Sequence, residues 1–376
     1  MKFSISQKNL LKCLEIIQPA VMTKSGSLPI LNNFLINATK ESLMFVSTDL
    51  EIAIKHFLKK DFSIVNEGSI TVPFKKFYDM VSSIESEKEI TIYVEEDKLY
   101  VTTGKMKVKI STLPSSDYPA IPSINEKDSF KIKALSIVDM IEKTIFAVSD
   151  DKNSVLNGLL WKKVKNNFTI AATDGRRLGV VCREIKNGVK KDFEVIIPSR
   201  ILGEVSSFIS SNCDENDDVI VDISQNQVGF RIGDTDFVSR FIEGKFPNYE
   251  SIIPKTFESI SKIESKKLFD STKRATVCSG DAKTGFVKYT FKKDVLIIST
   301  SSQTVDYEDE IDCEFSTSAS LKDGFVVAYP PKFIIDILKN LDSKKIEFKF
   351  TGAHTPTMIK LDTDENLMYM IMPLKI

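Results

Sequence analysis

The chain has 376 residues, with 51 lysines and arginines against 52 aspartates and glutamates, and a formal net charge of −1. This balance excludes a polycation that holds nucleic acid by bulk charge, so any contact with DNA requires basic side chains sorted onto one face. Only two histidines and five scattered cysteines occur, and no Cys-x-x-Cys pair, which argues against a histidine-based triad, a disulfide framework and a zinc site.

The first residues and the lengths of the apolar runs indicate the cellular compartment of the protein. The first residues, Met1–Ser6, lack the hydrophobic run of a signal peptide, and no stretch of about 18 apolar residues predicts a membrane span. We therefore predict a cytoplasmic protein, with neither a metal ion nor a cofactor.

Each third of the chain predicts two amphipathic helices, because apolar side chains recur there at helical spacing while charged ones lie between them. Proline fits the start of a helix, where its missing N–H would have no partner, and Pro73, Pro198 and Pro331 stand at three such starts. The predicted apolar faces are, in chain order, Leu10, Leu11, Leu14 and Ile17; Phe77, Met80, Val81 and Ile84; Ile137, Met140, Ile141, Thr144, Ile145 and Val148; Ile201, Leu202, Val205, Phe208 and Ile209; Leu268, Phe269, Thr272 and Ala275; and Ile334, Ile337, Leu338 and Leu341.

Strands are predicted between these helices. The segments 90–94, 219–223 and 346–350 alternate or run apolar and stand beside turn-forming residues. Two helices against several strands in each third predict an α+β fold.

The same markers return with a period near 125 residues. The third occurrence is more divergent, with Thr300 standing 127 residues after Thr173 and with Pro331 opening the helix. The pairs that are 125 residues apart are Leu31 and Leu156, Thr48 and Thr173, and Pro73 and Pro198. A period of this length is the size of a whole domain. Together with the proline-punctuated segments 117–122 and 247–254, it predicts three copies of one domain at 1–122, 123–253 and 254–376.

Motifs that would indicate catalysis are incomplete. The segment Gly280–Gly285 has the two glycines of a phosphate-binding loop, but Phe286 and Val287 stand where lysine and a hydroxyl residue are needed. The segment Thr173–Arg177 predicts a strand, a turn closed by aspartate and a second strand, with Gly175 supplying a positive φ.

At this turn the chain resembles the bacterial DNA polymerase III beta subunit family, the processivity sliding clamps. The resemblance covers the whole chain, and its specificity lies in the order and spacing of the motifs together. These motifs are Met1–Phe3, Leu28–Leu31, Thr48–Glu51, Ser111–Pro114, Leu156–Gly158, Thr173–Gly175 with Arg177 and Leu178, Phe246–Tyr249 and Met372–Ile376.

The resemblance implies three tandem clamp domains, each with two helices on antiparallel sheets, and a head-to-tail dimer that forms a six-domain ring around duplex DNA. It implies no catalytic residue, and sequence-independent DNA binding. It also implies a pocket for a short peptide of the polymerase III catalytic subunit, the clamp loader or other proteins with the same motif. The implied pocket consists of Leu156, Thr173, Gly175, Arg176, Arg177, Leu178, Pro247, Ile252, Phe333, Met370, Met372, Pro373 and Leu374.

Two further sets complete the expected site. Basic residues on the solvent faces of the helices, together with one loop lysine, are expected to face the DNA: Lys8, Lys12, Lys24, Lys75, Lys76, Lys143, Arg200, Lys266, Lys273, Arg274, Lys332 and Lys339. Val108 and Ile110 of the first domain, with Val277 and Cys278 of the third, match dimer-interface positions of the family.

Plainer interpretations stay open at this point. Each lysine is also an ordinary exposed helix residue, the last strand also completes a core, and the four interface residues also fit a strand and helix interior. For the whole chain, the repeat by itself permits an enzyme that acts on nucleic acid or a monomeric three-domain interaction scaffold.

Overall fold

The computed structural model describes residues 1–22, 28–86, 88–96, 98–125, 129–185, 191–224, 226–279, 285–318, 324–341 and 343–375. In these ranges the chain forms two compact units. The first contains 1–136 and 200–241, and the second contains 137–185, 191–199 and 242–375.

One order of elements occurs three times: a strand, a helix, four strands (five in the first copy), a helix and three strands. The first copy consists of β1 (Lys2–Ser6), α1 (Gln7–Ile17), β2 (Asn33–Ala38), β3 (Leu43–Thr48), β4 (Ile52–Leu58), β5 (Phe62–Asn66), β6 (Gly68–Pro73), α2 (Phe74–Ser82), β7 (Glu89–Glu95), β8 (Lys98–Thr103) and β9 (Met106–Ser111). The second consists of β10 (Phe130–Lys133), α3 (Ala134–Ile145), β11 (Gly158–Val164), β12 (Asn167–Thr173), β13 (Arg177–Glu184), β14 (Phe193–Pro198), α4 (Ser199–Asn212), β15 (Asp218–Ile223), β16 (Gln227–Ile232) and β17 (Thr235–Arg240). The third consists of β18 (Ser259–Glu264), α5 (Ser265–Cys278), β19 (Val287–Phe291), β20 (Val295–Ser301), β21 (Asp306–Thr317), β22 (Phe325–Tyr329), α6 (Pro331–Lys339), β23 (Lys345–Phe350), β24 (Thr357–Leu361) and β25 (Leu367–Ile371).

The first unit holds two antiparallel sheets. One has the order β5-β1-β7-β8-β9, and the other has the order β10-β15-β16-β17-β4-β3-β2-β6. In the second sheet the last strand of the second copy, β17, pairs with β4 of the first copy, from Thr235 opposite His56 to Ser239 opposite Ile52. The backbone ladder therefore continues from one copy into the next.

The second unit repeats this junction. Its twelve strands have the order β14-β11-β12-β13-β25-β24-β23-β18-β21-β20-β19-β22. Here β25, the last strand of the third copy, pairs with β13 of the second copy, and Leu178 stands opposite Met370. The fourth strand of one copy thus pairs with the last strand of the following copy at both internal junctions.

The helices form where the apolar periodicity predicts them. In α1 the hydroxyl of Ser6 caps the helix by accepting the N–H of Asn9 at 3.3 Å, while Leu10, Leu14 and Ile17 are fully buried. Burial of one such side chain contributes about 2 kcal/mol, so each helix is stabilised mainly by the sheet on which it packs.

The fold predicted from sequence is confirmed: the described chain is α+β, with three tandem copies and two helices in each copy. The three domain boundaries stay a prediction. The predicted helix faces were wrong at three positions, because the helices end before Ile84, Val148 and Leu341. The reason is that α2, α3 and α6 each end in a tighter turn closed by a three-residue hydrogen bond, such as the one from Ser83 N to Met80 O at 3.1 Å.

Candidate functional site

The turn between β12 and β13 is held by its own side chains. Thr173 Oγ1 donates to the carbonyl of Arg177 at 2.6 Å and accepts the N–H of Gly175 at 3.0 Å. Asp174 Oδ1 accepts the N–H groups of Arg176 and Arg177, each at 2.9 Å. Gly175 has φ 84°, a left-handed conformation that costs glycine no steric strain. The turn predicted from sequence is therefore confirmed, and it leaves Arg176 exposed.

Arg177 connects this turn to helix α6. Its Nε donates to Asp174 Oδ2 at 3.0 Å, and its Nη1 donates to Asp336 Oδ2 at 2.7 Å. The guanidinium carbon lies 4.7 Å from the centre of the Phe333 ring and 5.5 Å from that of Phe146. Only 8% of the Arg177 side chain is exposed, so its charge is neutralised by two carboxylates and packed between two aromatic rings.

An apolar cluster lies beside the turn. Its buried members come from β11, β12, β13, β14 and β25 and from the segment after β17: Leu160, Ala171, Leu178, Ile196, Phe246, Tyr249 and Met370. Partly buried side chains pack against them: Val155, Leu156, Val180, Ile242, Ile253 and Met368. Because these outer members keep part of their surface in solvent, the cluster offers an apolar surface that a partner's side chains could cover.

The chain end completes this surface. In β25, Leu367, Tyr369 and Ile371 are fully buried, while Met370 joins the apolar cluster from the other side of the strand. After the strand, Met372 N donates to the carbonyl of Arg176 and Leu374 N donates to the carbonyl of Ala328, each at 2.8 Å. The last strand therefore completes the core with one face and contributes to the cluster with the other, and Met372 is presented 41% exposed.

The structure brings most of the predicted pocket residues together. Leu156, Leu178 and Met370 belong to the cluster, Phe333 lies under Arg177, and the Met372 backbone bonds to the turn. Within the described residues, the other four predicted pocket residues belong neither to the apolar cluster nor to the bonded turn. Pro247 and Ile252 are exposed on either side of Tyr249, and Pro373 and Leu374 are half-buried in the chain end.

Sequence reasoning missed Leu160, Ile196, Phe246, Tyr249 and Asp336. The sequence contains signals that could have identified them. Leu160 and Ile196 are cross-strand partners on one face of the sheet, and Asp336 stands one helical turn after Phe333. The two aromatic residues are part of the Phe246–Tyr249 motif, in which only the proline was selected.

The first unit contains the same turn 125 residues earlier. Thr48 Oγ1 donates to the carbonyl of Ile52 at 2.8 Å and accepts the N–H of Leu50 at 3.0 Å. Asp49 Oδ1 accepts the N–H groups of Glu51 and Ile52 at 3.1 and 3.0 Å. The sequence repeat is thus a repeat of hydrogen bonds as well, although Leu50 instead of glycine holds the positive φ of 75°.

In this first turn the free oxygen of Asp49 is taken by Arg200, which also donates to Glu51 Oε2 at 3.1 Å and to the carbonyl of Pro19 at 2.9 Å. Burial lowers the pKa of Arg200, but the hydrogen bonds to both carboxylates outweigh it and leave that pKa raised. Arg200, expected to face DNA, is therefore already engaged by the protein.

The other expected DNA-facing residues fall into two groups where the structure describes them. Lys143 is only 18% exposed and pairs with Asp139 at 2.6 Å, and Arg274 pairs with Asp309 at 2.5 Å. Lys24 lies outside the described residues. The remaining lysines are exposed on α1, α2, α5 and α6 with no carboxylate within 4.0 Å in the described part of the chain: Lys8, Lys12, Lys75, Lys76, Lys266, Lys273, Lys332 and Lys339.

The expected interface residues lie at an open sheet edge and at a helix end. β9 is an edge strand of its sheet, with Val108 and Ile110 half-buried on one face and Lys107 and Lys109 exposed on the other. At the end of α5, Val277 is 86% exposed and Cys278 is half-buried.

A second open edge occurs in the long strand β21. Its residues 306–312 pair with β20, whereas only 313–317 pair with β18. Within the described ranges, the first half of β21 therefore has one unpaired side. Glu308 and Glu310 are exposed there, while Tyr307 and Asp309 turn toward α5.

The described helices and titratable groups give three further results. No helix in the described ranges is long and apolar enough to cross a membrane. No three of the described His, Cys, Asp and Glu residues are grouped so that they could hold a metal ion. Burial lowers the pKa of His56 to about 4, partly opposed by Asp234, and its Nδ1 lies 2.9 Å from Thr235 Oγ1.

Comparison with known proteins covers nearly the whole chain. Residues 1–122, 131–248 and 250–375 match the family models of the N-terminal, central and C-terminal domains of the DNA polymerase III beta subunit. The beta sliding clamp of Staphylococcus aureus is 26% identical over 384 residues, covering 100% of this chain and 99% of the relative. That of Haemophilus influenzae is 27% identical over 377 residues, covering 100% of both.

Solved structures agree with these matches. The DNA polymerase sliding clamp of Bacillus subtilis superposes with a TM-score of 0.93 at 25% identity, covering 100% of this chain and 99% of that one. The beta subunit of Thermotoga maritima gives a TM-score of 0.87 at 26% identity, with the same coverage of 100% and 99%. The chain therefore belongs to the DNA polymerase III beta subunit family and has the function of a DNA polymerase sliding clamp, a processivity factor.

Proposed function

We propose that two copies of this chain, each with domains at 1–122, 123–253 and 254–376, close head to tail into a cytoplasmic ring around duplex DNA. The ring tethers the polymerase III catalytic subunit through the pocket beside Arg177, and the clamp loader and other proteins with the same peptide motif use the same pocket. In this role the chain itself catalyses no reaction.

The observation that carries the ring is the repeated strand junction. The fourth strand of the first copy, β4, pairs with β17, and the fourth strand of the second copy, β13, pairs with β25. The same rule applied to the third copy requires the last strand of some copy beside β21. Within the described ranges, the first copy is the one whose last strand, β9, has no such partner. A second chain supplies β9, and this heterologous contact closes once it is made twice.

The chemistry of the two open edges supports their pairing. The exposed face of β9 carries Lys107 and Lys109, and the exposed face of β21 carries Glu308 and Glu310. Opposite charges on facing strands attract, and like charges on two copies of one edge would repel. The edges therefore favour head-to-tail pairing over the pairing of β9 with β9.

DNA would be held by the eight helix lysines that have no carboxylate partner among the described residues. Lysine contacts to phosphate carry no base information and weaken as salt rises, so they permit sliding. The near-zero net charge of the chain agrees with this, because a strongly basic protein would bind DNA tightly instead of moving along it.

Partners would dock at the apolar cluster. Its half-exposed rim, together with Met372 and the exposed Arg176, suits a short peptide with apolar anchors, since methionine adapts its shape to several related side chains.

The decisive test is retention on DNA. The chain is first sized at low micromolar concentration, where we expect about twice 42.3 kDa. It is then loaded on nicked circular DNA, which is afterwards linearised. Retention on the circle and loss from the linear form support encirclement. Equal retention on both would mean binding by affinity, and a monomer that binds peptides but not circles would favour a three-domain scaffold.

A further inference from the structure

We propose that the docked peptide extends past the apolar cluster into a charged trough over β24, β23 and β18, where acidic side chains of the peptide meet Lys360 and Lys262. This inference rests on the proposed peptide docking. It adds a second subsite with its own chemistry, an acidic flank next to the apolar anchors.

The first support is a continuous row across the sheet. Val180 stands opposite Met368 and Met368 opposite Lys360; Lys360 in turn stands opposite Glu347, and Glu347 opposite Lys262. Residues directly opposite each other lie on the same face of a sheet. Since Val180 and Met368 pack against the apolar cluster, the row leads from the pocket onto the charged strands without interruption.

The second support is a depression at the end of this row. A trough of about 690 Å³ is lined by the side chains of these strands and of the loop after β24. Two of its lysines are already neutralised, because Lys345 pairs with Glu314 at 2.9 Å and Lys349 pairs with Glu347 at 2.7 Å.

The two lysines of the row differ from these. Lys262 and Lys360 have no carboxylate within 4.0 Å among the residues that the structure describes. Lys262 is exposed and Lys360 is half-buried. The acids Asp362 and Glu365 also line the trough, but they stand in the loop after β24 and not in the row. A carboxylate that follows the row would therefore meet two available ammonium groups.

Strand spacing sets the length of the flank. Lys360 is one strand from Met368 and Lys262 is three strands from it, which is about 5 and 14 Å at the usual strand spacing. An extended peptide advances about 3.3 Å per residue. Acidic side chains about two and about four residues beyond the anchor over Met368 therefore fit the trough.

The test uses fluorescent peptides with one apolar core and a flank that carries two glutamates, two lysines or two serines, placed before or after the core. Fluorescence anisotropy at low salt gives the affinities. We expect the acidic flank, at one end of the core, to tighten binding about 3- to 10-fold over the serine flank, and the gain to disappear at high salt.

The variant Lys262→Glu with Lys360→Glu should reverse this preference toward the lysine flank and leave the serine peptide unchanged. Its matched control is Lys288→Glu with Lys293→Glu, which makes the same change in charge at exposed lysines of β19 and of the turn before β20, both outside the trough. The control should keep the preference of the parent.

The outcomes separate the two proposals. The proposed role of the trough is overturned if the serine peptide binds and the glutamate flank adds no affinity at either end. It is also overturned if the control variant loses the preference for the acidic flank as the trough variant does. In both cases the pocket itself stands. If no peptide with an apolar core binds the parent chain, the docking function itself is overturned, and the trough with it.

Discussion

Arg177 donates a hydrogen bond to Asp336 at 2.7 Å, although 159 residues separate them along the chain. Arg177 begins β13 in the second copy, and Asp336 lies on α6 in the third. Because the same guanidinium also holds Asp174 in the turn, the conformation of the pocket wall depends on a helix of the following copy.

The first prediction concerns the two hydrogen bonds that the Arg177 guanidinium donates to Asp174 and Asp336. Replacing Arg177 by lysine keeps a charge but removes the planar donor pair, so Asp174 and Asp336 cannot both be satisfied. We expect the free energy of unfolding to fall by about 2 kcal/mol and peptide binding to weaken about 10-fold. Urea unfolding and peptide anisotropy measure the two effects.

The neighbouring residue provides the control for this variant. Arg176→Lys changes an exposed arginine that has no side-chain ion pair with any described residue, and it should alter stability by less than about 0.5 kcal/mol. Equal losses of stability in the two variants would contradict the role assigned to the two hydrogen bonds of the Arg177 side chain.

The second prediction concerns the chain end. Truncation after Ile371 removes Met372 and the backbone bonds to Arg176 and Ala328, while β25 keeps its pairing with β13. We expect peptide binding to be lost and the mass of the dimer to be unchanged. Truncation after Leu374 keeps both backbone bonds and should bind as the full chain does. Undiminished binding after the longer truncation would remove Met372 and the residues after it from the pocket.

The third prediction concerns ring closure. The variant Lys107→Glu with Lys109→Glu gives a chain with two acidic edges, and Glu308→Lys with Glu310→Lys gives a chain with two basic edges. Each alone should dimerise at least about 10-fold more weakly than the parent, because like charges then face each other at both junctions. Analytical ultracentrifugation across a concentration series measures this.

Mixing the two charge variants is the stringent control. In a mixed dimer each β9 again meets a β21 of opposite charge, so both junctions are restored and the dimer should return. Two variants that stay monomeric when mixed, or that dimerise alone as the parent does, would exclude the pairing of β9 with β21.

Much of the fold could be predicted from sequence because its signals are local. Apolar spacing located all six described helices, and the pattern Thr173–Arg177 located a turn whose side chains bond to its own backbone. The helix ends could not be predicted, because a closing bond such as that from Asn340 N to Ile337 O interrupts the helix while the apolar pattern continues to Leu341.

The site was predicted less completely, because its contacts are not local. The approach of Asp336 to Arg177 and the pairing of Arg200 with Asp49 depend on the tertiary fold, and no spacing rule reports them. For the same reason the sequence could not separate the paired Arg200 from an unpaired lysine such as Lys75.

The fourth prediction uses this distinction between paired and unpaired cations. Reversing Lys75 and Lys76 to glutamate removes two exposed charges without breaking an ion pair in the described structure. We expect weaker loading on primed circular DNA and a shallower dependence of DNA binding on salt, with peptide binding unchanged. Lys143→Glu should instead mainly lower stability, because it places a carboxylate beside Asp139. Unchanged loading of the double variant at moderate salt would contradict the assignment of these lysines to DNA.

The fifth prediction is a pH dependence that originates at His56. Burial lowers its pKa from 6.5 to about 4, so between these values the unfolded chain binds a proton that the native chain does not. The free energy of unfolding should therefore fall as the pH falls through this window, by up to about 3 kcal/mol from this residue at about 1.4 kcal/mol per pKa unit.

The variant His56→Asn tests this, because asparagine can keep a polar contact to Thr235 but does not titrate. Between pH 6.5 and 4, the free energy of unfolding of the parent should fall by about that amount relative to that of the variant. His354→Asn, in an exposed turn, serves as the matched control. Parallel pH profiles for the parent and His56→Asn would mean that His56 is protonated in the native chain as readily as in the unfolded one.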